Sequence, residues 1–421
     1  MNMHRPLANA PAVKLSGGVH PLDQLGAHFL CDRLTVFTPT AEQICQLMDR
    51  ARADLPVPLA SNETMQRVAA NNPDCLWAVA RRGASEAGKP TPRGLISFLM
   101  LNEEGVDALI TGRLDARNPP QEYLVGQHQR PAGIYGWLMH ARGTLAPGLT
   151  LVMEKLQAPL YRGVDIFCRA ASKEGAAFFD SLGFSRGLWW DGEFREGFRH
   201  YRRAFEGAGH SELAARFRPP FDDHRPGRGI ETGPVVRSKV VHTLEEMMKV
   251  FSIRSAVYME EQNCPYEEEF DGNDFSGTHL LGSIDGEPAG CLRIRYFGDF
   301  AKIERVAVLG RFRHRGLGRK LVVAAVELCR AKGYRRIYAH ARRSLLSFWQ
   351  RLEFAPLPDA APFAFSDFEY VEIIRELPLS NSALALDAGP YVLVRPEGQW
   401  DLPGVLERSA VRGANASEAT S

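Results

Sequence analysis

The stretch Ile303–Gly333, IERVAVLGRFRHRGLGRKLVVAAVELCRAKG, decides the reading of this chain. A largely apolar strand, Glu304–Val308, leads to a basic turn, Arg313–Gly318 (RHRGLG), which opens an amphipathic helix. Leu317, Leu321, Val322, Ala325, Val326 and Cys329 recur at helical spacing, and Gly333 after Lys332 supplies a stop. The first N–H groups of a helix have no partner within it and carry the positive end of its dipole, so a turn of this kind suits a phosphate. Gly316 and Gly318 allow close approach or positive φ. Arg313 and Arg315 add planar donor forks that match phosphate oxygens.

The glycine spacing excludes a Walker loop and a full G-x-G-x-x-G dinucleotide fingerprint. What remains, R-x-x-G-x-G directly after a strand, resembles the pyrophosphate-binding signature of the GNAT superfamily of acyl-CoA-dependent N-acyltransferases. A second block, Phe348–Phe354 (FWQRLEF), is similar to that family's F-Y-x-x-L-G-F.

Around these motifs the second half reads β-α-β-β-β-α-β-α-β, the order of the GNAT fold. A strand near residues 235–242 precedes Thr243, which caps a helix with Glu246 three residues on. Strands at 279–284 and 289–296 flank the turn Asp285-Gly286, and further strands fall at 336–341 and 370–377. The first half repeats the plan less clearly. It has strands at 34–37, 94–101, 134–139 and 164–168, a capped helix from Thr40 with Gln43, a helix from about Leu149, and the block Phe178–Phe184 (FFDSLGF). Phe184 and Phe354, and likewise Ile134 and Glu304, lie 170 positions apart, which is better evidence of a repeat than one match alone. The expected fold is α/β with mixed sheets, in two tandem GNAT-like domains. They are placed at 20–205 (degenerate) and 235–380 (acyltransferase). A Gly/Pro-rich linker spans 206–234, and an extension with a disordered end covers 381–421. In that extension, 390–395 reads as one more strand. The first half has Arg142–Gly148 (RGTLAPG) where the second has RHRGLG: the glycines are misplaced and Pro147 lacks an N–H. The segment 102–131, rich in Gly, Pro and charge, reads as an insertion.

The whole chain sets limits on function. Its 421 residues suit two domains, and 45% hydrophobic with 24% charged residues suits packed cores. A formal charge of +1 argues for neither nucleic acid nor an anionic membrane as partner. Seven scattered cysteines with no C-x-x-C imply neither a disulfide framework nor a zinc site. No signal peptide or membrane-length apolar run is apparent, so the expected location is cytoplasmic.

The resemblance implies acetyl-CoA as co-substrate, no metal, and direct attack of an amine on the thioester. It further implies that Val306, Ala307 and Val308 pair with the pantetheine arm, and that Arg313, His314, Arg315, Gly316, Leu317, Gly318 and Arg319 hold the pyrophosphate. Glu304, two residues before Val306, is the expected general base, against the alternative of a salt bridge to Arg293, Arg295 or Lys302. The family's thiolate-protonating Tyr is Trp349 here, leaving Tyr338, Ser344 or Tyr296 as substitutes. Arg342 stands where relatives carry Asn and is expected at the pantetheine or phosphates. The acidic segment 260–274 suggests attraction for a cationic acceptor. Expected partners are a small-molecule or peptide amine, with a homodimer allowed. Two other readings compete. Arg254, Glu269, Asp271, Asp274, Arg293 and Glu304 echo acyl-homoserine-lactone synthases, and Trp349 with a degenerate first domain would suit a non-catalytic acyl-CoA sensor or assembly module.

Overall fold

The structure is a computed structural model describing residues 33–405, apart from 56, 84, 87–88, 204–212, 214–215, 224–233 and 366–367. Most of the linker and the polar C-terminal end therefore lie outside the described residues. The rest forms two compact units. One comprises residues up to 183 with 201–203 and 403–405; the other comprises 184–200 and 213–402.

The first unit carries a mixed sheet of β1 (Leu34–Phe37), β2 (Leu76–Arg81), β5 (Gly94–Leu101), β6 (Gly133–His140) and β7 (Ile166–Cys168), in that order. Between β2 and β5 lies a small hairpin, β3 (Ser85–Glu86) and β4 (Lys89–Pro90). The β6–β7 pairing is parallel and covers residues 134–136 against 166–168. The capping box Thr40–Gln43 is present at the head of the helix Ala41–Asp54. Two helices fall where none was expected, Asn62–Asn71 and Glu103–Ile110, capped by Ser61 and Asn102.

In the second unit the hairpin of β8 (Ser185–Trp190) and β9 (Glu193–Tyr201) precedes an eight-stranded sheet. Its strands are β10 (Val236–Val240), β11 (Thr278–Ile284), β12 (Glu287–Tyr296), β13 (Ala301–Val308), β14 (Arg336–Arg342), β15 (Ala355–Pro356), β16 (Phe363–Phe365) and β17 (Phe368–Glu376). The order is β10-β11-β12-β13-β14-β17-β15, with β16 on β17. Asp285 and Gly286 both take positive φ, as a two-residue hairpin requires. The helix Leu317–Ala331 lies on one face, and all six residues of its expected apolar stripe are buried. Gly282 and Gly290 make room for it: a Cβ at Gly282 would stand 2.6 Å from Leu317 Cδ1, and one at Gly290 3.0 Å from Leu317 Cδ2. Both glycines thus press the helix's first turn onto the sheet. Residues 390–395 are not a strand. Pro390 begins a short helix, Pro390–Leu393, where its fixed φ suits the first helical position and its missing N–H costs nothing. No described helix is long and apolar enough to cross a membrane.

Candidate active site

The site begins with a break in β13. Cys291 pairs with Ala307 but Arg293 pairs with Glu304, so Leu292 opposes two residues, Arg305 and Val306. Arg305 takes φ +55° to absorb the extra residue. Before the bulge β13 pairs with β14 at Ala301–Ile303; β14 then continues along β17 as far as Arg342–Tyr370. The two parallel strands therefore part, and Val306, Ala307 and Val308 line one side of the gap. Ala307 is buried against β12, whereas the carbonyl of Val306 accepts from Tyr258 Oη at 2.8 Å and that of Val308 from Arg313 Nε at 3.1 Å.

After β13 the chain enters the basic turn. His314 and Gly316 both adopt positive φ (+66° and +80°), and Gly316 is the N-cap of Leu317–Ala331. No side chain caps this end, so the N–H groups of Leu317, Gly318 and Arg319 begin the helix without a side-chain acceptor. A Cβ at Gly316 would meet nothing within 4 Å; the glycine is there for its backbone conformation. Arg313, His314, Arg315 and Arg319 are exposed, and Arg313 pairs with Glu261. Leu317 is fully buried, leaving only its backbone to meet a ligand.

The face of the sheet opposite that helix carries an ionic network. Arg254 and Arg293, both wholly buried, bind the acidic loop from inside. Arg254 contacts Glu269 and, at 2.5 Å, Asp274; Arg293 contacts Asp271 at 2.7 Å, Asp274 at 2.8 Å and Glu304 at 2.9 Å. Lys302 adds a second ion pair to Glu304 at 3.1 Å. Arg305 reaches Asp271 and Glu269. Burial pushes the Asp271 and Asp274 carboxyls up, but the arginine hydrogen bonds outweigh it and hold both below the usual range. At Glu269 burial wins and the carboxyl is raised. Glu261, Glu269, Asp271 and Asp274 are thus paired within the protein, while Glu260 and Glu267 remain exposed.

Residues 245–354 match the model of the acetyltransferase (GNAT) family. The Bacillus subtilis protein BSU40680 is 31% identical over 117 residues, 27% of this chain and 80% of that relative. The chain belongs to the GNAT acetyltransferase family. The uncharacterized N-acetyltransferase YjcF of B. subtilis is 32% identical over 99 residues, covering 23% of this chain and 69% of YjcF. The crystal structure of Escherichia coli ElaA aligns at 25% identity over 34% of this chain and 100% of ElaA, with a TM-score of 0.31.

Within this GNAT domain several candidates have definite surroundings. Trp349 is core: it is 5% exposed and its ring lies 5.1 Å from Phe354 and 5.6 Å from Phe348. Tyr296 is stacked on Tyr334 and bonded to Glu397, while Ser344 is exposed. Arg342 lies across the rings of Phe368 and Tyr370 and binds Gln262 and the Tyr370 hydroxyl. On β14 the burial alternates: Ile337, Ala339 and Ala341 face the core, while Tyr338, His340 and Arg342 share the other face. Sequence reasoning passed over His340, although the Y-A-H-A-R alternation marked it. Tyr258 had no such mark, since it comes from a π-helical stretch, Ser255–Glu260.

Proposed function

We propose that the second unit transfers an acetyl group from acetyl-CoA to the nitrogen of a small-molecule or peptide amine by direct attack on the thioester. The observation that carries this reading is the uncapped helix N-terminus at Gly316, reached from a strand that has just separated from its parallel neighbour. A diphosphate meets the N–H groups of residues 317–319 and the positive end of the helix dipole, with Arg313, Arg315 and Arg319 exposed around it. The pantetheine arm runs along Val306–Val308, where an extended amide chain can replace the missing strand contacts. A backbone N–H near Val306 is positioned to stabilise the oxyanion that forms as the amine adds. Glu304 has three neighbouring cations, Arg293, Lys302 and, at 3.8 Å, Arg295, on its carboxylate, which leaves it little free acceptor capacity; its part in proton transfer is tested by Glu304→Gln.

The test is free-thiol release from acetyl-CoA over a panel of amines, with acetyl-CoA affinity measured by calorimetry. Thiol release that depends on an added amine is expected. Gly316→Pro forces φ near −65° on a residue that needs +80°, and it is expected to weaken acetyl-CoA binding at least tenfold. Unchanged affinity in a folded Gly316→Pro protein would remove the pyrophosphate from this turn. Acetyl-CoA binding with no thiol release for any amine would favour the sensor reading.

A further inference from the structure

We propose that His340 is the general base of the transfer, then its acid, and that Tyr338 and Glu372 fix the tautomer that permits both. The inference rests on the acetyltransferase reading above. Its first support is position. Ala339 is the last residue of β14 paired with β13, so His340 is the first residue beyond the point where the strands part. It lies on the sheet face opposite the helix Leu317–Ala331 and the buried Ala339 and Ala341.

The second support is hydrogen-bond direction. Tyr338 Oη has one proton and donates it to Glu372. The same oxygen lies 2.8 Å from His340 Nε2, and having spent its proton it can only accept there. Nε2 therefore carries the ring proton, and Nδ1 presents a lone pair. Tyr338 and Glu372 are positioning residues in this arrangement.

The third is environment. Phe363, Phe365 and Tyr338 surround the ring at centroid distances of 4.9, 6.2 and 5.2 Å. The charged groups facing it are Lys302 and Glu304 from β13 and Glu372 from β17. Burial, helped by Lys302, lowers the imidazole pKa, while Glu372 and Glu304 act against it. The ring is accordingly neutral near pH 7.

The step balances without another group. As the C–N bond forms, Nδ1 takes one proton from the amine nitrogen. The C–S bond breaks, its electron pair stays on sulfur, and the same proton passes from Nδ1 to the thiolate, releasing CoA thiol and restoring neutral His340. This removes the need for an acid at Trp349.

The experiment uses the full chain with acetyl-CoA and the best amine of the panel. It measures kcat and KM from pH 5 to about 9.5, with acetyl-CoA affinity in parallel. His340→Gln is expected to lower kcat roughly 100-fold or more, with acetyl-CoA affinity within twofold of wild type. It should also erase an inflection lying below the ordinary histidine value of about 6.5. Tyr338→Phe is expected to lower kcat while leaving the KM for acetyl-CoA unchanged, and Glu304→Gln to keep the inflection. Wild-type turnover with His340→Gln within threefold of it, or an inflection lost in Glu304→Gln and kept in His340→Gln, overturns the role of His340 alone. A wild-type chain that neither binds acetyl-CoA nor releases thiol overturns the acetyltransferase reading, and the role of His340 falls with it.

Discussion

The two units answer one topological problem with different turns. In each, a central strand is bulged and its parallel neighbour pairs over three residues: β6 with β7, and β13 with β14. In each, the segment after the central strand leads into a helix lying on the sheet. The second unit starts a 15-residue helix from an open glycine with φ +80°. The first starts an eight-residue helix after a 3-10 turn, Gly143–Leu145, with Pro147 at the cap position. Its Gly148 serves packing, since a Cβ there would stand 2.6 Å from Val79 Cγ1. Under the proposed function the shared scaffold carries a phosphate site in one unit only, and the conformation of a few turn residues would decide which.

This contrast can be broken or sharpened by experiment. The largest expected effect is on the buried network found in the second unit. Arg254→Ala leaves the buried Glu269 with Arg305 alone and Asp274 with Arg293 alone, and is expected to cost about 3–5 kcal/mol. Chemical denaturation that registers less than 1 kcal/mol, as an order of magnitude for a surface pair, would show the network to be dispensable.

Gly148→Ala comes next, at about 1–3 kcal/mol for an overpacked contact with Val79. Acetyl-CoA affinity should not change. A loss of affinity without a loss of stability would give the first turn a ligand role.

Acid should weaken the second unit through Asp271 and Asp274. Their folded carboxyls are depressed, so the stabilisation is present above the ordinary aspartate value near 3.9 and is lost as pH falls through the folded values. Replacing both with Asn is expected to remove that part of the acid transition in a denaturation series taken below pH 5 or so. An unchanged acid limb would contradict it.

The smallest effects test what the units share. Thr40→Ala and Thr243→Ala each remove one side of a capping box and should each cost about 1 kcal/mol. Markedly unequal costs would show that the two boxes are not equivalent parts of one plan.

Much of the scaffold was legible because periodicity and caps are local. β1 and β5 fall on the expected residues, both capping boxes are formed, and the helix 317–331 buries its expected stripe. The failures have physical causes. The helix Glu103–Ile110 lies in the segment 102–131, read as an insertion rich in Gly, Pro and charge, and contains Gly105. A Cβ there would lie 2.5 Å from the Tyr123 carbonyl oxygen, so that glycine serves packing. The bulge at Arg305 puts a non-glycine residue at positive φ and leaves no signature in the sequence. The sequence set Arg254 and Arg293 beside Glu269, Asp271 and Asp274, but only the fold shows both arginines wholly buried and paired with those carboxylates. His340 needed the point where β13 and β14 part, a feature of pairing rather than of composition.

The central claim is that one turn of two holds the CoA. Calorimetric titration of the full chain with acetyl-CoA tests it most directly. The account predicts one equivalent bound per chain, lost in Gly316→Pro. Two equivalents per chain, or one that survives in a folded Gly316→Pro protein, would contradict it.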